Sequence, residues 1–146
     1  MRSSFLAGLV LLVGSATTAQ PPKPEEKEYK RLDGTWRVVS SEKDGIEQPP
    51  DQLPDRLLLT FTVGNFERGG GPRGTIQRMD TTTHPKQIDY RRAGTEKDIQ
   101  GIYLVEGDIF IECTAPPGEE RPKTFTTAKG SGHTLVVYKR VKKKRD

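Results

Sequence analysis

Cysteine is almost missing from this chain: Cys113 is alone, so no disulfide can form within it. Histidine is nearly as scarce, with only His84 and His133. Zinc and copper sites usually draw three or four clustered His, Cys or carboxylate ligands, so no metal and no cofactor are expected. Hydrophobic residues make up 32% of the 146 positions and aromatic ones 7%. Ordinary soluble domains carry ~45–50% apolar residues with glycine counted. So small a stock serves one domain with a modest core, not a multi-domain enzyme. Also missing are the long apolar helical stripes that parallel βαβ crossovers need. No stretch after residue 13 is apolar enough to cross a membrane, so no integral membrane span is expected.

What is present begins with a targeting pattern. Arg2 precedes the apolar run Phe5–Val13, and small residues follow, with Thr17 and Ala19 at the −3 and −1 positions. A positive start, about nine apolar residues and a small-residue site describe a secretory signal peptide. Cleavage near Ala19 would leave an exported, periplasmic or secreted protein, its net charge lowered from +4 to +3 by the loss of Arg2. Residues 20–31 are rich in proline and charge and read as a linker, although Glu25–Leu32 can form one or two helical turns before Asp33-Gly34. The domain then runs over 32–141, with a basic tail at 142–146.

Within that domain, eight or nine short runs of β-branched and aromatic residues alternate with turn signals. The runs are 35–41, 57–63, 65–68, 75–79, 87–91, 101–105, 108–114, 123–127 and 134–140. This spacing predicts an all-β, antiparallel sandwich or barrel. Centring a two-residue turn on Glu106-Gly107 sets Leu104 opposite Ile109 and Ile102 opposite Ile111. Ile102, Leu104, Ile109, Ile111 and Cys113 then share an inward face, with Tyr103 and Phe110 paired on the other. The same alternation groups Trp36 with Val38, Leu57 and Leu59 with Phe61, and Ile88 with Tyr90. It places Asp89 and Glu112 on the solvent side.

Gly34-Thr35-Trp36 at the first strand resembles the G-x-W signature of lipocalins and the wider calycins. That resemblance implies a Trp at the closed end of an up-and-down barrel of about eight strands, with a last-strand Arg, here Arg140, packed over it. More of the chain, from Leu32 to Arg140, is similar to a lipocalin-like domain family abundant in planctomycete bacteria. The matching segments include Gly34–Ser40, Asp44-Gly45, Lys86–Asp89, Gly101–Tyr103, Gly107-Asp108, Cys113, Ala115–Pro122 and Gly130–Gly132. His84-Pro85 stands where that family has Lys-Pro, and Gly69–Gly74 is richer in glycine. The family has no assigned biochemical function. The resemblance therefore implies fold and export, and carries over no catalytic or binding residue.

Other motifs point to little chemistry. Gly69–Gly74 matches G-x-G-x-x-G, but a strand-like segment follows and Pro72 lacks a donor, so it reads as an inter-strand loop, not a phosphate cradle. Ala115–Pro122 is a proline-stiffened connection or a contact at a barrel mouth. Arg91, Arg92 and Arg121 can bind an anion or serve as solvated rim charges. The basic run Lys139–Arg145 suits weak contact with an anionic surface; export removes nucleic acid as a partner.

The expectation is a non-enzymatic, exported barrel that binds a small, mostly apolar molecule. Its ligand-lining set would be Val38, Phe61, Ile88, Tyr90, Ile102, Leu104, Ile109 and Ile111, with Trp36 and Arg140 closing one end. The alternative is a cell-envelope interaction or structural module with a side-chain-filled barrel; an enzyme working inside the barrel is a weaker third. A binder needs a cavity of roughly 300 Å³ or more, and an interaction module an exposed apolar patch. An enzyme needs pKa-shifted polar groups inside, where alternation places none except Tyr90. The pattern does not reveal the oligomeric state.

Overall fold

The computed structural model describes residues 23–49, 52, 57–71 and 73–143. The expected signal peptide, residues 20–22 and residues 144–146 lie outside them.

The described chain opens with one helix, α1 (Pro24–Leu32). Pro24 suits the first turn because its missing N–H would have no intrahelical partner there. Glu25 and Glu26 sit at the positive end, Lys30 and Arg31 at the negative end. Segment 24–31, read as linker from its composition, is thus part of the folded body: Glu28 and Leu32 of α1 are buried.

Nine strands follow: β1 (Gly34–Lys43), β2 (Ile46–Gln48), β3 (Leu58–Thr62), β4 (Asn65–Arg68), β5 (Arg73–Asp80), β6 (Lys86–Arg92), β7 (Ile99–Glu106), β8 (Ile109–Thr114) and β9 (Thr134–Arg140). From β3 onward each pairs antiparallel with the next, and β1 pairs with both β3 and β9. The ring β1-β3-β4-β5-β6-β7-β8-β9 is therefore a closed, up-and-down antiparallel barrel of eight strands. The short β2 is an extra strand, folded back on the end of β1 through the tight turn Asp44-Gly45. Register breaks at Val38/Ser40 and Ile76/Arg78 mark bulges that help the sheet curl. Closure leaves no exposed edge along the ring.

The turn between β7 and β8 corrects the expected register. Glu106 pairs with Ile109, so the two-residue loop is Gly107-Asp108, with Gly107 at φ +55°. Glycine at the first central position is what a primed hairpin turn asks for. The shift puts Leu104 opposite Ile111 and Ile102 opposite Cys113. A slip of two residues keeps the same residues together on each face, but the inner face is the aromatic one, not the aliphatic one. Tyr103, Val105, Phe110 and Glu112 point inward. Leu104, Ile109 and Ile111 point outward, and Leu104 and Ile109 are exposed. Ile102 also points outward, yet it is buried, because the long β8–β9 connection covers it.

That connection, Ala115–His133, is a strap across the outer face and holds no strand; the run 123–127 is irregular. Arg121 fastens it, donating from Nη1 to Gly101 O at 2.6 Å and to Ile88 O at 3.3 Å. Arg121 Nη2 also lies 2.6 Å from Asp89 Oδ1 in an ion pair. Asp89, expected in solvent, is thus buried beneath the strap. Cys113 donates weakly to Thr126 O. Burial pushes its thiol up to about 11, assisted by the charges of Glu112 and Glu42.

The closed half of the barrel is filled by a column of rings. Trp36 lies 5.6 Å from Phe110, Phe110 5.2 Å from Tyr138 and 5.8 Å from Phe61, and Phe61 6.4 Å from Tyr90. These are distances at which aromatic pairs add to their burial. Leu32, Met79, Ile88, Tyr103 and Val105 complete the packing.

Candidate functional site

Packing stops halfway up the barrel. Beyond it, toward the end where β1, β6 and β8 finish, a cavity of about 430 Å³ opens. Its apolar wall is Leu59, Phe66, Ile99 and Val136; the strap's Ala115, Pro116 and Pro117 lie along its lip. Gly74 makes the wall possible: a Cβ there would lie 2.6 Å from the Phe66 ring and 2.2 Å from Arg91 O. Glycine lets that ring approach β5 closely, where it meets Tyr90 edge-on, 5.4 Å away.

The floor is polar. Strand β8 carries Glu112 into the interior, where it is almost fully buried. A lone buried carboxylate costs several kcal/mol, so it must be satisfied by donors. Tyr138 Oη and Arg68 Nη2 donate to its Oε1 at 2.7 and 3.2 Å, and Tyr90 Oη donates to its Oε2 at 2.7 Å. The donors come from β9, β4 and β6, so the network ties four strands across the lumen. Burial, with the charge of Glu112, raises the Tyr90 and Tyr138 phenols well above their ordinary 10. For Arg68, burial opposes the charge, but Tyr138, Glu112 and Tyr90 together hold its guanidinium above its usual range.

The opposite end is sealed. Trp36 is fully buried and donates from Nε1 to Leu32 O at 2.8 Å. Arg140 lies 4.0 Å over the indole and donates to Asp33 O at 2.7 Å and Arg31 O at 2.6 Å. One guanidinium thus stacks on the ring and satisfies carbonyls at the α1 C-terminus. Glu28 fastens the same helix, accepting from Arg31, Lys86 and Tyr103 at 2.8, 3.0 and 3.0 Å.

Of the residues expected to line a ligand site, only Tyr90 reaches the cavity. Phe61 and Ile88 are buried in the packed half, and Val38 is half-buried against it. Ile102, Leu104, Ile109 and Ile111 lie on the outer face. Glu112 was placed on the solvent side, and Arg68, Leu59, Phe66, Ile99 and Val136 were not among the expected lining residues. The signal for Glu112 was its place two residues from Phe110 on the aromatic face of the β7–β8 hairpin. Among the described residues no three His, Cys, Asp or Glu side chains converge to hold a metal ion, and no helix is long and apolar enough to cross a membrane. Comparison with protein-family models, curated proteins and solved structures returns no match.

Proposed function

We propose that this protein is an exported, lipocalin-like binding module that takes one small, largely apolar molecule into the open half of its barrel without transforming it. The observation that carries this reading is the cavity: about 430 Å³, walled by Leu59, Phe66, Ile99 and Val136. That falls within the ~300–1,000 Å³ range of small-molecule sites. Binding without turnover is supported by the floor. Both Glu112 oxygens are engaged, and the two phenols that hold them stay protonated at neutral pH. Such a network braces the lumen and offers a substrate no free base. The G-x-W start with Arg140 supports the lipocalin-like kinship, and the Arg2–Ala19 pattern supports export.

The test is titration with N-phenyl-1-naphthylamine, an uncharged fluorophore that brightens in apolar surroundings. A saturable 1:1 rise is expected, lost when Val136→Trp or, nearer the lip, Thr134→Trp fills the cavity. A signal unaffected by both folded variants would refute the reading.

A second reading has its own observation. Leu104, Ile111 and Val137 lie in register across β7, β8 and β9, with the exposed Val39 of the β1 bulge beside them. This stripe suits the envelope-interaction alternative. Leu104→Arg would abolish partner association there and leave fluorophore uptake unchanged.

A further inference from the structure

The cavity's charges do not cancel. Lys43, Arg68 and Arg92 line it as cations, against the single anion Glu112. Arg68 is spent on Glu112 at the floor. Lys43 and Arg92 are left over: among the described residues neither side chain makes an ion pair or hydrogen bond. The topology also fixes their relation. Lys43 ends β1 and Arg92 ends β6, and in the ring these strands are four steps apart in either direction. The two cations therefore face each other across the mouth, over an apolar wall.

Acidic neighbours do not answer them. Asp98 is held by Arg91 at 2.7 Å, and Glu96, Glu119 and Glu120 are not among the lining residues. Glu42 accepts from Thr127 of the strap. Positive potential at a low-dielectric opening draws anions and orients them.

We infer that the ligand is an anionic amphiphile, its short apolar body against Leu59, Phe66, Ile99 and Val136 and its anionic head between Lys43 and Arg92 at the mouth. This rests on the binding reading above and narrows it to a chemical class. The head stays in the half-open mouth, where partial hydration spares it a full desolvation cost. The body replaces water on the wall, the part of the site that rewards apolar area.

Three probes with one ten-carbon chain separate this inference from its parent: decanoate, 1-decanol and decylammonium. Calorimetry of the full chain near neutral pH, at low ionic strength and below micellar concentrations, should show all three binding. Decanoate should bind about tenfold tighter than decanol, and decylammonium weaker still. Added salt should shrink the spread, since the mouth is open to screening. The double variant Lys43→Met/Arg92→Met changes exposed strand ends and should equalise decanoate and decanol while leaving decanol affinity unchanged. Decanol binding as tightly as decanoate in the native chain would overturn the anion inference and leave the cavity reading standing. A decanoate preference that survives the double variant would overturn the assignment to this pair. No saturable binding of any probe would overturn both.

Discussion

Glu112 carries more of this structure than any other single side chain. A carboxylate in that position is tolerated only because three donors from three other strands converge on it. Tyr138→Phe removes one and should cost about 1.5–3 kcal/mol, the range for hydrogen bonds to charged groups; chemical denaturation measures it. The tyrosines give a second check. All four, Tyr29, Tyr90, Tyr103 and Tyr138, have phenols raised above 10, chiefly by burial. A raised folded pKa means that the stabilisation is intact below the unfolded value and is lost as pH climbs toward the folded one. Absorbance at about 295 nm should therefore show little tyrosinate where free tyrosine is half-ionised, near pH 10, and the signal should appear together with unfolding. Noncooperative ionisation near pH 10 would contradict the burial. Cys113, pushed up to about 11, should react slowly with a thiol reagent at neutral pH until denaturant is added.

At the scale of elements, the turns and the helix make their own demands. Val63 begins the β3–β4 turn at φ +42°, and Gly64 follows at +79°. A β-branched residue in the left-handed region is strained, and asparagine is a preferred residue there. Val63 is also 75% exposed, so its methyl groups gain little from packing. Val63→Asn should stabilise the protein by about 1 kcal/mol, read as a raised Tm. Helix α1 should be sensitive to acid. Burial raises the Glu28 pKa, but bonds from Lys86, Arg31 and Tyr103 outweigh it, and the folded value lies below the ordinary 4.5. Its stabilisation is present above the unfolded pKa and lost as pH falls through the folded one. Glu28→Gln should flatten the difference in stability between about pH 6 and pH 3, measured by denaturation at each pH.

These elements also show what a reader of the sequence can and cannot recover. The strand runs and most turns were legible, because period-2 alternation and Gly/Asp turn signals are local. The spacing left sandwich and barrel both open, and closure was implied only by the resemblance around Gly34-Thr35-Trp36. The β7–β8 inner face was not legible: Glu106-Gly107 and Gly107-Asp108 as turn centres both sort these residues into the same two faces, and alternation alone does not say which face is inner. Aliphatic residues misled there, since Leu104, Ile109 and Ile111 coat the exterior while the rings fill the lumen. The run 123–127 has strand composition but no ladder neighbour, as β9 pairs directly with β8. The Glu112 network was illegible for a different reason: its members are contributed by four strands, and only the closed ring brings them together.

The whole molecule is a barrel with two unlike ends. One is packed by rings and sealed by Trp36, Arg140 and α1; the other is open, floored by a braced carboxylate and rimmed by Lys43 and Arg92. Closure and filling of the lower half supply stability, leaving the upper half free to hold a guest. The two-ended design is tested most directly by a two-dimensional amide spectrum recorded while 1-decanol is added. Saturable shifts should gather at Phe66, Ile99, Thr114, Thr134 and Val136, while the Trp36 indole N–H, bonded to Leu32 O, stays in place. Shifts confined to Leu104, Ile109 and Ile111, or none that saturate, would contradict it.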